Sequence, residues 1–190
     1  MGPEIIIVSG LPRSGTSLMM QMLDSGGLAV VTDHLRTADT DNPRGYYEYQ
    51  RVKKIKEDAA WLPATRGKAF KMVSQLLYDL PPTERYRIIF MERNLDEVLT
   101  SQEKMLTRLG RTPAPRDQIR RAYTMHLERL HEWLPRAGHC SVLRVSYNIL
   151  LEQPREPAGQ VGEFLGGLAD IEKMVQTVDP SLYRNRKSVG

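Results

Sequence analysis

An α/β domain with a mostly parallel central sheet and helices on its flanks is the fold class this chain predicts. Two local observations and one of length carry that reading. Four consecutive β-branched residues, Ile5, Ile6, Ile7 and Val8, run into a glycine-bounded loop from Gly10 to Gly15, and an apolar helical pattern opens at Thr16 and Ser17. A wholly apolar strand suits the interior of a parallel sheet that helices cover on both faces. Further short strand patterns are separated by helical ones, the signature of βαβ units. A length of 190 residues fits one domain with a full core, and no repeat or linker divides it.

The remaining elements follow in order. Gly26 and Gly27 end the first helix, and Leu28 to Val31 is expected as a short second strand. Thr32 to Arg44 is polar and turn-rich, with Asp41-Asn42-Pro43 inside it and Gly45 closing it, the composition of a mobile active-site loop. A helical pattern then leads from Tyr46-Tyr47-Glu48-Tyr49 through Val52, Ile55 and Ala59 and ends before Pro63. Lys68 to Val73 reads as the third strand, with a Leu-rich connection closed by Pro81-Pro82. Arg87 to Arg93 is the fourth, and Asn94 and Glu97 behind it have the spacing of an N-cap with its reciprocal capping-box partner. That helix carries Val98, Met105 and Leu109 on one side and stops near Gly110. A long amphipathic helix turns Ile119, Tyr123, Leu127, Leu130 and Leu134 inward. Ser141 to Val145 is the fifth strand, and helical stretches around Ile149 and from Pro157 to Leu165 close at Gly166-Gly167. The polar, basic tail over 178–190 is expected to be mobile.

Composition narrows the function. Apolar residues make up 41% of the chain and charged residues 26%, ordinary for a soluble globular protein. The balance of 27 basic against 23 acidic residues gives a net charge of +4, suited to a polyanionic nucleotide. No basic run is interleaved with aromatics, so nucleic acid is not an expected partner, and the cluster Arg51 to Lys56 reads as a solvated helix face. A single cysteine, Cys140, allows no internal disulfide and fits a reducing compartment. No apolar segment approaches the length of about 18 residues that a membrane span needs, and no signal core opens the chain. A cytoplasmic location without membrane contact is the expectation. His, Cys and Asp are not clustered as a metal-ligand set, so no metal is expected.

The chemistry is concentrated in the first loop. A glycine turn feeding a helix start gathers backbone N–H groups around a concavity at the positive end of the helix dipole, which holds phosphate. The nucleoside triphosphatase version places Lys directly after its second glycine. Here Thr16 stands in that position, and the cation is Arg13, with Ser14, Thr16 and Ser17 adding hydroxyls. This arrangement resembles the 5′-phosphosulfate loop of sulfotransferases, whose donor is 3′-phosphoadenosine 5′-phosphosulfate (PAPS). The resemblance implies that Arg13, Ser14, Gly15, Thr16 and Ser17 bind the donor, and that Arg13 also serves the chemistry.

Other segments extend the likeness along nearly the whole chain. Arg93 and Ser101, eight residues apart, match the family's pair that holds the donor's 3′-phosphate. Tyr147, in Val145-Ser146-Tyr147, matches the adenine-side tyrosine, with Asn148 where Glu is usual, and Glu163-Phe164-Leu165-Gly166 resembles the family's closing FLG segment. Lys71 matches a lysine that neutralises the bridging oxygen as the sulfuryl group departs. The family's catalytic His would fall at Val73 and the stacking Trp at Leu18, and both are absent. A base must come from elsewhere. Glu48 best matches the glutamate of carbohydrate sulfotransferases, with His34 as the alternative. Arg184 and Arg186 in the tail would fold over the 3′-phosphate.

The resemblance thus implies a sulfuryl transfer from PAPS to a hydroxyl or amine of a small-molecule or carbohydrate-like acceptor by in-line displacement, with PAP released. Two other readings stand beside it. One is a P-loop kinase, which the missing Lys disfavours. The other is a nucleotide-binding regulatory module with a degraded site, to which Val73 and Leu18 point.

Overall fold

The computed structural model describes residues 2–33, 35 and 45–179. Four strands, β1 (Ile5–Gly10), β2 (Ala69–Val73), β3 (Tyr86–Glu92) and β4 (Cys140–Ser146), form one parallel sheet in the order β2-β1-β3-β4. The register sets Gly10 level with Val73 on one side and Met91 on the other, and Glu92 level with Ser146. All the carboxyl ends therefore share one rim. The helices are α1 (Thr16–Ser25), α2 (Leu95–Arg108), α3 (Arg116–Trp133), α4 (Tyr147–Glu152), α5 (Arg155–Phe164) and α6 (Ile171–Thr177).

Side chains alternate across a strand, so the apolar run of β1 serves two cores at once. Ile6 and Val8, with Ile89, Met91 and Val145, pack against Met19, Met22 and Leu23 of α1, Leu150 of α4, Val161 of α5 and Met174 of α6. Ile5 and Ile7, with Phe70, Met72, Ile88 and Phe90, pack against Trp61, Leu62, Leu77, Leu130 and Leu134. Every residue of β1 is buried as a result. Each of these isoleucines contributes about 1.5–3 kcal/mol by leaving water. Trp61 joins the second core by edge-on contacts with Tyr49 and Phe70, both at 5.2 Å between ring centroids. The first helix ends as its glycines require. Gly27 adopts φ 86°, its N–H bonds to the Asp24 carbonyl, and the Leu28 N–H reaches the Leu23 carbonyl, which together make a Schellman motif.

The class is as expected, while several elements differ. Leu28 to Val31 forms a single parallel bridge, Val30 to Ala69, instead of a strand. In that register Leu28 and Ala29 lie level with Gly67 and Lys68, ahead of β2, and Thr32 and Asp33 turn away beyond it. Thr32 Oγ1 and the Asp33 N–H both bond the Glu48 carbonyl at 3.0 Å, and the Asp33 carboxylate accepts from the Gln50 N–H. The helix expected over Val52 to Ala59 is a 3₁₀ turn, Gln50–Lys54, followed by further turns. Val52 and Ile55 are buried as their spacing suggests, but an interval of three fits about 3.0 residues per turn as well as 3.6. The Leu-rich connection is likewise a 3₁₀ segment, Ser74–Asp79.

At the start of α2, Asn94 Oδ1 accepts from the Asp96 N–H at 3.0 Å, a true cap. Glu97 does not complete a capping box, because its carboxylate is engaged by Arg93 and Asn148. Leu109 is 58% exposed where an inward position was expected. In α3, Leu130 is buried, while Ile119 and Tyr123 are half-buried, Tyr123 bonding Gln102 of α2 through its hydroxyl. Finally, α6 was not anticipated. Asp170 caps it through the Lys173 N–H, and Met174 packs into the core against α1. Among the described residues, no helix is long and apolar enough to cross a membrane.

Candidate active site

The loop between β1 and α1 is shaped by residues whose backbone leaves few alternatives. At Gly10, φ 153°, a Cβ would lie 2.6 Å from the Met91 carbonyl oxygen, and at Gly15, φ 98°, it would lie 2.1 Å from the Tyr147 ring. Only glycine fits either place. Arg13 is left-handed at φ 72° without being glycine, a strain that persists only where the surroundings enforce it. Arg93 from the end of β3 does so by donating from Nη1 to the Arg13 carbonyl at 3.1 Å. No side chain caps α1 at Gly15, so the positive helix end is turned toward the space that Gly15, Thr16 and Ser17 line.

That space is a cavity of about 560 Å³, within the range of about 300–1,000 Å³ typical of small-molecule sites. Arg13, Gly15, Thr16 and Ser17 form one wall, and Arg93, Ser101 and Tyr147 meet them. Glu48 and Lys71 face in from the remaining side. The convergence is knitted by hydrogen bonds. Arg13 Nε donates to Ser101 Oγ at 3.0 Å. Lys71 Nζ donates to Ser17 Oγ at 3.3 Å and also to the Tyr46 carbonyl. Ser17 Oγ donates to that same carbonyl at 3.4 Å, so the strap carrying Glu48 is tied to the loop. Tyr47, left-handed at φ 52°, is held by its hydroxyl on Asp24 at 2.8 Å. Burial, and then Asp24, push that phenol up to about 12. The Glu48 carboxylate lies 3.6 Å from Lys53 Nζ.

Behind the loop sits a buried ionic group. Arg93 Nε and Glu97 Oε2 are 3.0 Å apart, with only 7% and 5% of their side chains exposed. Asn148 donates to the Glu97 carboxylate at 3.2 Å. The Tyr147 ring lies 4.6 Å from the Arg93 guanidinium and fills the place that a Gly15 side chain would take. Burial raises the Tyr147 phenol, so it stays protonated at neutral pH.

Most of the residues expected from sequence thus surround one cavity, with differences in what each touches. Ser101 meets Arg13, whereas Arg93 meets Glu97 and the Arg13 backbone. Tyr147 is packed under the loop. Ser14 turns inward: it is 2% exposed, its hydroxyl is beside Gly10, and its N–H is bonded to the Leu11 carbonyl. His34, Arg184 and Arg186, most of the loop over 32–44 and the tail beyond 179 lie outside the described residues. Val73, in the place of the expected histidine, is 43% exposed into the cavity.

Sequence reasoning missed Lys104, Met105 and Arg108, which line the same wall as Ser101. Their spacing from Ser101 of three, four and seven residues marks one helix face and was the signal that could have found them. It also passed over Asn148 as a positioning group and read Glu97 only as a cap. The histidines of α3 stand apart. His126 bonds Ser74 Oγ at 2.8 Å, and burial lowers its pKa.

Comparison with known proteins gives a consistent result. Among curated proteins no match is found. The solved structure of a sulfotransferase from Alicyclobacillus acidocaldarius is similar in fold, with a TM-score of 0.52, 16% identity, and coverage of 87% of this chain and 82% of that one. A sulfotransferase domain from the curacin biosynthetic pathway is similar with a TM-score of 0.52 and 14% identity, covering 99% of this chain and 93% of that one. The family model described as sulfotransferase domain matches residues 3–189. With nearly its whole length matched, the chain belongs to the sulfotransferase domain family.

Proposed function

We propose that the protein transfers a sulfuryl group from PAPS to a hydroxyl or amine of a small-molecule or carbohydrate-like acceptor. The observation that carries this reading is the meeting of Arg13, Arg93 and Ser101 at one cavity behind a loop that has Thr16 where a triphosphatase keeps lysine. In this reading Arg13, Thr16, Ser17 and the loop N–H groups surround the phosphosulfate, and Arg93 and Ser101 lie toward the 3′-phosphate. Glu48 accepts the acceptor's proton as its oxygen attacks sulfur. The bond from sulfur to the bridging oxygen breaks, and its electron pair leaves on the 5′-phosphate of PAP, where Lys71 offsets the charge.

The test is thermal stabilisation by PAP, AMP, ATP and ATP with magnesium, since stabilisation follows affinity logarithmically. PAP is expected to exceed AMP. Arg93→Ala should remove most of that margin, about ten- to a hundredfold in affinity for a charge-assisted contact. Equal stabilisation by PAP and AMP would remove the case for PAPS. A chelator is expected to leave PAP binding unchanged, whereas magnesium-dependent ATP hydrolysis above background would favour a kinase.

A further inference from the structure

Resting on the sulfuryl-transfer reading above, we infer that the acceptor is a hydroxyl compound with an apolar body, and not a carbohydrate, and that Val73 selects for it. The cavity changes character along its length. Around the glycine loop it carries Arg13, Thr16 and Ser17. The residues that follow Lys71 and Glu48 in the chain line it instead with the edge of the second core. Val52 and Met72 belong to that core, Tyr49 and Leu76 pack against it, and all four face the cavity.

Strand geometry places Val73 at the junction. Alternate residues of a strand share a face, so Val73 lies on the face of Lys71, about 6.6 Å further toward the rim for a rise of about 3.3 Å per residue. Lys71 reaches the loop at Ser17 Oγ, 3.3 Å away, and Val73 is the next side chain beyond it on that face. It is 43% exposed and lines the cavity. The polar residue beside it turns the other way: Ser74 is fully buried, with its Oγ 2.8 Å from His126 Nε2. Lys53, Lys104 and Arg108 also line the cavity, but all three are exposed, which keeps their charged ends toward solvent. A sugar brings several hydroxyls at once, and each one pressed on Val52, Val73 or Leu76 would give up water without gaining a partner. An apolar body gains by the same burial. Its single hydroxyl is used in the reaction: the proton passes to Glu48, the oxygen bonds sulfur, and PAP leaves with the electron pair of the broken bond, giving an alkyl sulfate.

The experiment measures kcat/KM at saturating PAPS for two primary alcohols on six-membered rings, cyclohexylmethanol and methyl β-D-glucopyranoside, and for the straight-chain alcohols from ethanol to hexan-1-ol. Cyclohexylmethanol is expected to exceed the glucoside by about 10²-fold. The straight-chain series should rise about fourfold for each added CH₂. Val73→Thr keeps the shape of the side chain and adds a hydroxyl, so it should narrow the ratio between the two ring alcohols by about two- to tenfold, with PAP affinity within about twofold of wild type. Because Val73 is 43% exposed, this variant should unfold at wild-type temperature. A glucoside that equals or outruns cyclohexylmethanol overturns the assignment. So does a flat alcohol series, or the absence of transfer to any alcohol by protein that binds PAP more tightly than AMP. An unchanged ratio in Val73→Thr overturns the role given to Val73. If wild type binds PAP and AMP alike, the donor reading fails and this assignment with it, and that titration, made without acceptor, identifies the case.

Discussion

Glu48→Gln is expected to lower kcat by about 10²- to 10⁴-fold while PAP affinity stays within about twofold of wild type. Gln keeps the size and reach of the side chain but cannot accept a proton. The substitution also removes the contact with Lys53 at 3.6 Å, whose side chain is 62% exposed. A solvated pair of that kind adds little to stability, so unfolding should scarcely move. Single-turnover rates with saturating donor, read beside calorimetric PAP affinity, separate the chemical step from binding. Retained turnover in Glu48→Gln, with loss of turnover in His34→Ala at unchanged PAP affinity, would transfer the role of base to His34.

Gly15→Ala should be strongly damaging for a single added methyl. Its Cβ would sit 2.1 Å from the Tyr147 ring, on a residue with φ 98°. The left-handed backbone costs about 1–2 kcal/mol for a side chain, and overpacking adds about 1–3. Gly27→Ala is the internal control, since φ there is 86° and nothing lies within 4 Å of the added carbon; it should show the backbone cost alone. Truncating the ring with Tyr147→Ala should then make Gly15→Ala about as mild as Gly27→Ala, a coupling that a double-mutant cycle reads directly. Calorimetric unfolding checks this. PAP binding should fall in Gly15→Ala even where the protein remains folded, because the loop must shift to admit the methyl. Identical losses from Gly15→Ala and Gly27→Ala would mean that the ring does not support the loop.

The central strand and the loop were legible because local chemistry dictates them. Ile5 to Val8 can be satisfied only where both faces are covered, and Gly10 and Gly15 stand where no side chain fits. Leu28 to Val31 was less so, because the parallel bridge from Val30 to Ala69 leaves Leu28 and Ala29 ahead of the first residue of β2. The 3₁₀ turn at Gln50–Lys54 shares its apolar spacing with a helix, so periodicity alone could not separate them. In the site, residue types were readable and their partners were not. Glu97 carries a capping-box spacing, yet a buried guanidinium four residues earlier has the stronger claim on its carboxylate. Likewise, Tyr147 matches a ligand-side motif, while its ring lies against Gly15, a residue distant in sequence.

The long reach of these contacts bears on how the protein is made. Arg13 and Ser101 are separated by 88 residues, and Arg93 and the Arg13 carbonyl by 80. The Tyr147 prop directly follows β4. During synthesis the glycine loop leaves the ribosome before Arg93, Ser101 and Tyr147, and it lacks their contacts until they have followed. Contacts so distant along the chain close late and slowly. On the proposed donor reading, a nascent chain halted before Tyr147 would display every residue of the glycine loop and is still expected to hold no nucleotide, which would make nucleotide capture a report on completed folding.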